Sequence, residues 1–180
     1  MDIINTDFDG LVIIQPKVFN DSRGSFLEIY HQKKFQDIVE NIQFVQDNLS
    51  FSRKNVIRGL HLQEPPYAQA KLVTVVNGMV KDVVVDVRRN SPTYGKYFSI
   101  ILSGENHTML YIPIGFAHGF VSLAENTVFL YKCSNLYSPS SEVSILWNDP
   151  DINIDWEINN PIVSDKDNKG IFLKNYSSPF

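Results

Sequence analysis

Cysteine is nearly missing from this chain. Cys133 is the one thiol among 180 residues, so no internal disulfide can form. Such a chain suits a reducing compartment. Also missing is any apolar run near the ~18–20 residues that a membrane-spanning helix needs. Met1-Asp2-Ile3-Ile4-Asn5 lacks the basic start and apolar stretch of a secretory leader, so a cytoplasmic location without a membrane partner is expected. There is no excess of basic charge: 16 Lys and Arg against 20 Asp and Glu leave a net charge of -4. That argues against a nucleic-acid partner while leaving room for a local basic pocket that takes a small anion. Neither a Gly-x-Gly-x-x-Gly fingerprint nor a phosphate-binding lysine loop occurs, which removes the usual signals of dinucleotide and nucleoside-triphosphate sites. No internal repeat, low-complexity tract or linker interrupts the chain. It is expected to form one domain, residues 1–180, with a β-barrel core at about 40–135 and terminal extensions packed on it.

What the chain has in quantity is turns. Asn20 to Gly24, Gln63 to Pro66, Asn77-Gly78, Asn90 to Pro92, Ser103-Gly104, Pro113 to Gly115 and Ser138-Pro139 punctuate short runs rich in Val, Ile, Phe and Tyr. That spacing predicts a mostly β sandwich or barrel with a few short helices. Phe35, Ile38 and Val39 predict one helix over His31 to Glu40. Asn77-Gly78 is the preferred two-residue hairpin turn, so Lys71–Val76 and Met79–Val87 are expected to pair, with Val75 facing Val80 and Val73 facing Asp82. Alternation puts Lys71, Val73, Val75, Val80, Asp82 and Val84 on one face. Lys71 and Asp82 become diagonal neighbours there. The ordinary reading of such a pair is a solvated cross-strand ion pair, and the sharper one is a charged pair inside a barrel mouth. The pattern alone favours the former.

Of the four histidines, His31 opens the expected helix and His107 follows a turn, so both read as structural or exposed. His61 and His118 keep different company. His61 ends Ile57-Arg58-Gly59-Leu60-His61, and His118 follows the tight turn of Pro113-Ile114-Gly115-Phe116-Ala117-His118. Pro-x-Gly-x-x-His resembles the second motif of cupin β-barrels. The strand that holds His61 adds only Leu62 and Gln63 to it, too few donors for the three or more ligands that a metal site needs.

The wider pattern is specific. It comprises Asp21-Ser22-Arg23-Gly24 with Glu28; Gln46-Asp47-Asn48; Arg58-Gly59-Leu60-His61; Pro65 through Lys71; Asp82 through Arg88; Pro113 through Phe120; Phe129-Leu130-Tyr131-Lys132; Trp147-Asn148-Asp149-Pro150; and Ser164-Asp165-Lys166-Asp167. In this order and spacing, from about residue 8 to residue 170, the chain resembles the dTDP-4-dehydrorhamnose 3,5-epimerase family. The resemblance implies a cupin-type jelly-roll β-barrel, usually a homodimer, working without a metal or redox cofactor. It implies a nucleotide-sugar substrate, dTDP-4-keto-6-deoxyglucose, epimerised at C3 and C5. It makes His61 the catalytic base, Asp167 its partner, Tyr131 the acid and Lys71 the group beside the sugar carbonyl. Arg23, Glu28, Gln46, Asn48, Arg58, His118, Glu142 and Lys166 match nucleotide or substrate contacts, and Tyr137 matches the aromatic that stacks on the base. Leu62, Thr74, Asn77 and Lys81 depart from the family's common pattern, which keeps related nucleotide sugars in view. The rival readings are a C3-only or C5-only epimerase and a non-catalytic nucleotide-sugar-binding cupin.

The chemistry fits these residue types. Loss of a proton beside a ketone gives an enolate, and inversion needs a base on one ring face and an acid on the other. Histidine titrates near neutrality and a carboxylate fixes its tautomer. A lysine beside the ketone oxygen would stabilise the developing oxyanion, and arginine forks suit a diphosphate. Arg58 and His61 are three apart, so a regular strand would point them to opposite faces. If both face one pocket, a bulge or kink is required near Gly59.

Overall fold

Runs of β-branched and aromatic residues between turn residues form strands throughout the computed structural model, which describes residues 1–39 and 42–180. In chain order these are β1 Asp2–Asn5, β2 Val12–Gln15, β3 Val18–Asp21, β4 Gly24–Leu27, helix α1 Gln32–Gln36, β5 Gln46–Ser52, β6 Ile57–Gln63, β7 Lys71–Asn77, β8 Met79–Asp86, β9 Tyr97–Ser103, β10 Met109–Ile112, β11 Phe116–Ser122, β12 Thr127–Cys133 and β13 Glu142–Ser144. One sheet has the order β1-β2-β10-β7-β12-β5 and the other β13-β6-β11-β8-β9, while β3 and β4 form a ribbon of their own. Taken from β5 to β12, the order β5-β12-β7-β10 over β6-β11-β8-β9 is that of a jelly roll, as expected.

The main core lies between the sheets. Val73 and Val75 of β7, Val80 and Val84 of β8, Leu110 of β10, Phe116 and Phe120 of β11 and Phe129 of β12 interdigitate there. Burial of each such side chain stabilises the fold by about 1.5–3 kcal/mol over exposure. A second cluster covers the outer face of the β6 sheet with Ile145, Ile152, Trp156, Leu173 and Tyr176 from the C-terminal segment. A third, around Phe35, seats α1 on the other sheet against Leu72, Met109 and Tyr111.

Two expectations need correction. The segments around Asn77-Gly78 do not form a hairpin: β7 pairs with β10 and β12, and β8 pairs with β11 and β9. Gly78 takes a left-handed φ of +82° at a corner where the chain leaves one sheet for the other. The expected face was correct, since Val73, Val75, Val80 and Val84 share the inter-sheet core. The physical reason is burial. From Val80 onward β8 is buried on both faces, which a two-stranded ribbon cannot supply. Lys71 and Asp82 are accordingly buried within the barrel and not a solvated surface pair. The helix is also shorter than expected, ending at Gln36 in a turn, and Glu40 lies outside the described residues. Its N-cap His31 makes no side-chain cap and its first turn holds no acid, so packing of Phe35 fixes it more than its own ends do.

The irregularity near Gly59 is present. His61 faces His118 while Arg58 faces Phe120, so β6 spends three residues where β11 spends two. Gly59 has φ +130°, and a Cβ built there would sit 2.5 Å from Gly119 Cα and 2.9 Å from the His118 carbonyl. Gly59→Ala is therefore expected to destabilise the protein by about 2 kcal/mol or more in urea titration. A loss under 0.5 kcal/mol would show that the close approach of β6 to β11 is not required.

Candidate active site

The bulge turns Arg58 and His61 into one cleft of about 470 Å³, whose lining also includes Lys71, His118, Phe120, Phe129, Tyr131, Ser164, Lys166 and Asp167. His61 and His118 come from the β6 sheet, Lys71 and Tyr131 from the facing sheet. The histidine and the tyrosine thus stand on opposite sides of one space. Phe120 and Phe129, stacked with centroids 4.3 Å apart, form an apolar part of the wall.

His61 Nε2 lies 2.6 Å from Asp167 Oδ1. The other Asp167 oxygen accepts the Gly59 N–H at 3.3 Å, and the Asp167 N–H donates to Ser164 Oγ at 3.1 Å. Burial pushes the Asp167 carboxyl up, but the His61 bond and charge, the Gly59 N–H and Ser164 outweigh it and hold the carboxyl below its ordinary value. An ionised Asp167 accepts a hydrogen bond from one imidazole N–H and leaves the other nitrogen free to act as a base. Across the cleft, burial pushes the Tyr131 phenol above its ordinary value, with Cys133 adding to the shift and Arg58 opposing it. The phenol therefore keeps its proton at neutral pH. Lys71 is buried and donates to the His61 carbonyl at 3.4 Å; burial lowers its affinity for a proton, against the pull of Asp82 and Glu142.

A second lobe of about 280 Å³ shares His61, Lys71 and Tyr131 with the first and is also lined by Gln46, Asn48, Gln63, Cys133, Tyr137 and Glu142. Gln46 donates to Asn48 Oδ1 at 2.9 Å and accepts the Tyr137 N–H at 2.9 Å. Glu142 Oε2 accepts the Tyr137 hydroxyl at 2.7 Å and pairs with Lys166 Nζ at 2.5 Å, which bridges the two lobes at their mouth. Arg58 donates to Ser52 Oγ and the Phe51 carbonyl. Among the described residues, no group of three or more His, Cys, Asp or Glu side chains is placed to hold a metal ion.

Eleven of the thirteen expected site residues thus gather in the two lobes. Arg23 and Glu28 do not. Arg23 sits exposed at the tip of the β3–β4 ribbon, paired with Asp21, and Glu28 pairs with Lys34 on the surface. Sequence reasoning gave no site role to Ser164, Cys133 or Asp82. Ser164, three residues before Asp167, carried a readable signal as the cap of the turn that presents the carboxylate. Asp82 carried the sharper reading of a charged pair with Lys71 inside a barrel mouth, and Cys133 carried no signal.

A jelly roll with a histidine–carboxylate pair on one wall of its mouth and a protonated tyrosine on the other defines a class, a cupin-type barrel equipped for acid–base chemistry. The family model described as dTDP-4-dehydrorhamnose 3,5-epimerase matches residues 5–175, and the chain belongs to that family. It is 51% identical over 171 residues to a dTDP-4-dehydrorhamnose 3,5-epimerase of Shigella flexneri, covering 94% of each chain. Among solved structures it is similar to the dTDP-4-dehydrorhamnose 3,5-epimerase of Elizabethkingia anophelis, with a TM-score of 0.94, 47% identity and 99% of both chains covered. The dTDP-6-deoxy-D-glucose-3,5-epimerase of Legionella pneumophila in complex with dTDP-4-keto-L-rhamnose aligns with a TM-score of 0.93 and 45% identity, over 97% of this chain and 93% of that one.

The Asp167 bonds have a pH signature. A carboxyl held below its unfolded value contributes stability that is complete above the unfolded pKa of about 3.9 and is lost as pH falls through the lower native value. Asp167→Asn is expected to cost about 1.5–3 kcal/mol at pH 7. That gap should narrow as urea titrations move from pH 5 towards pH 3. A gap that stays constant over this range would contradict the assignment.

Proposed function

We propose that the cleft converts dTDP-4-keto-6-deoxyglucose to dTDP-4-keto-L-rhamnose by epimerising C3 and C5. One observation carries the residue roles: His61, oriented by Asp167, and Tyr131 face each other from opposite sheets across one space. His61 takes the proton from the carbon next to the ketone. Electrons move onto the C4 oxygen, where Lys71 meets the growing negative charge. Tyr131 returns a proton from the other face; the hydroxyl then regains a proton from solvent and His61 gives its proton up to solvent, which resets both groups. Repetition at the second carbon completes the double inversion. Arg58 and Lys166 lie where a diphosphate would meet them, and Gln46, Asn48, Tyr137 and Glu142 surround the second lobe, which suits the thymidine. The reaction moves protons and no electrons leave the substrate, so the proposed chemistry draws on no cofactor.

The working unit is a homodimer in this reading. Leu49, Phe51 and Val76 are exposed on the outer face of the β5-β12-β7 sheet, and Phe19 and Phe26 on the ribbon. Large exposed side chains gathered in this way mark an interaction surface. Arg23 and Glu28 match substrate contacts but lie outside their own chain's cleft. A second copy that brings its ribbon to the mouth would supply both.

Four measurements test these statements. Proton NMR of dTDP-4-keto-6-deoxyglucose incubated with the protein in heavy water should give deuterium at both C3 and C5, and Tyr131→Phe should lower turnover at least a hundredfold while substrate still binds. Exchange at one carbon would favour a single-site epimerase, and binding with no exchange a non-catalytic cupin. Light scattering should give twice the chain mass. Co-refolding Arg23→Ala with Tyr131→Phe should restore native sites in about a quarter of positions, since half the dimers are mixed and each has one intact site. A monomer, or no recovery, contradicts the shared site.

A further inference from the structure

Asp82 of β8 is fully buried behind His118, which lines the cleft, and has no role in the proton transfers above. His118 Nε2 is 2.9 Å from its Oδ2, while Oδ1 has no hydrogen-bond partner among the described residues. A buried carboxylate oxygen left this way is costly unless positive charge lies nearby. Lys71 supplies that charge from the facing sheet. Its ammonium has a single hydrogen-bond acceptor, the His61 carbonyl, and no direct ion pair among the described residues.

The other groups facing Lys71 are committed or uncharged at neutral pH. Burial pushes the Cys133 thiol and the Tyr131 phenol of β12 up, so both keep their protons. Burial pushes His118 of β11 down, against the pull of Asp82, so its imidazole is neutral. Its Nε2 must then carry the proton it gives to Asp82. His61 of β6 is engaged by Asp167. Glu142 of β13 is already matched by Lys166 and Tyr137. Burial pushes the Asp82 carboxyl up, against the pull of His118 and Lys71, and among the described residues it is the carboxyl facing Lys71 that no Lys or Arg pairs directly.

We propose that Asp82 is the counter-charge that keeps Lys71 an ammonium ion, with His118 as the clamp that holds Asp82 in place. Asp82 is then a positioning residue, acting on the reaction through Lys71. This rests on the reading of Lys71 as the partner of the sugar carbonyl. A buried lysine loses its proton readily, and an uncharged amine could not offset the enolate oxygen. The neutral alternative, in which Asp82 and Lys71 have discharged each other, makes the opposite prediction.

The test is the pH profile of kcat for the full-length protein and for Asp82→Asn. The alkaline fall of kcat is expected to move down by about one pH unit or more in the variant, with KM little changed. A limb that stays in place, or an equal loss at every pH, overturns the proposal. Carbon NMR of the aspartate carboxyls in native protein and in Lys71→Met needs no turnover and no Asp82 variant. Removing the ammonium should raise the Asp82 titration by about a unit or more, because the coupling is reciprocal. An unmoved titration overturns the proposal. If the titration moves but Lys71→Met still turns over at the native rate, the pairing stands and the role of Lys71 at the carbonyl falls.

Discussion

The hydrogen bond between His61 and Asp167 joins residues 106 apart in sequence, and much of the molecule serves to make it. Asp167 can reach β6 only if the C-terminal segment returns across the barrel mouth. Backbone bonds hold it there: Ile57 N–H to the Ile162 carbonyl at 2.9 Å, Ile162 N–H to the Asn55 carbonyl at 2.8 Å, and a bridge between Ile145 and Ile171. Trp156, Leu173 and Tyr176 bury the same segment against the outer face of the β6 sheet. The bulge belongs to the same construction. It turns Arg58 and His61 to one side, and its Gly59 N–H holds the second oxygen of Asp167. Geometry at the His61–Asp167 pair therefore depends on a glycine, a strap and a distant apolar cluster together.

The interior changes character along the strands that form it. Val73 lies two positions from Lys71 on β7, Val84 two from Asp82 on β8 and Phe120 two from His118 on β11, so each apolar residue shares a strand face with a polar one. Stacked Phe120 and Phe129 stand beside His118. Such walls exclude water and fix rotamers. In that setting each charge and each hydrogen bond acts more strongly than at the surface. The same walls make an unmatched charge expensive, which is why the pairings of Asp82 and Asp167 matter more than the exposed pairs of Arg23 and Glu28.

Much of this was legible from residues alone. Turn spacing gave the all-β class, and period-2 alternation placed Lys71, Val73, Val75, Val80, Asp82 and Val84 on one face. The three-residue gap between Arg58 and His61 forecast the bulge. Alternation cannot say which strand bonds to which, however. Asn77-Gly78 has the chemistry of a hairpin turn, yet here it makes a corner between sheets because β8 needs burial on both faces. The same limit hid the surroundings of Lys71 and Asp82, which are buried on facing sheets and not along one ladder. The His61–Asp167 pair had no local signal at all, since its partners are brought together only by the strap. The resemblance of the motifs to a known family supplied it.

A jelly roll suits inversion at a carbon for a geometric reason. Its two sheets face each other about 10 Å apart, close enough for side chains from both to reach a ring lying between them. Groups on one sheet approach that ring from one side only, however their rotamers are set. A base and an acid on the same sheet would return the proton to the face it left. Here the proposed base, His61, is on β6 and the proposed acid, Tyr131, on β12, so on that reading the separation of roles is built into strand order and does not depend on a moving loop. Lys71, on β7 beside Tyr131, reaches the space from the acid's side, where it can follow the oxygen without blocking the base. Epimerisation is then what this cleft does when a ketone is held in the plane between its walls.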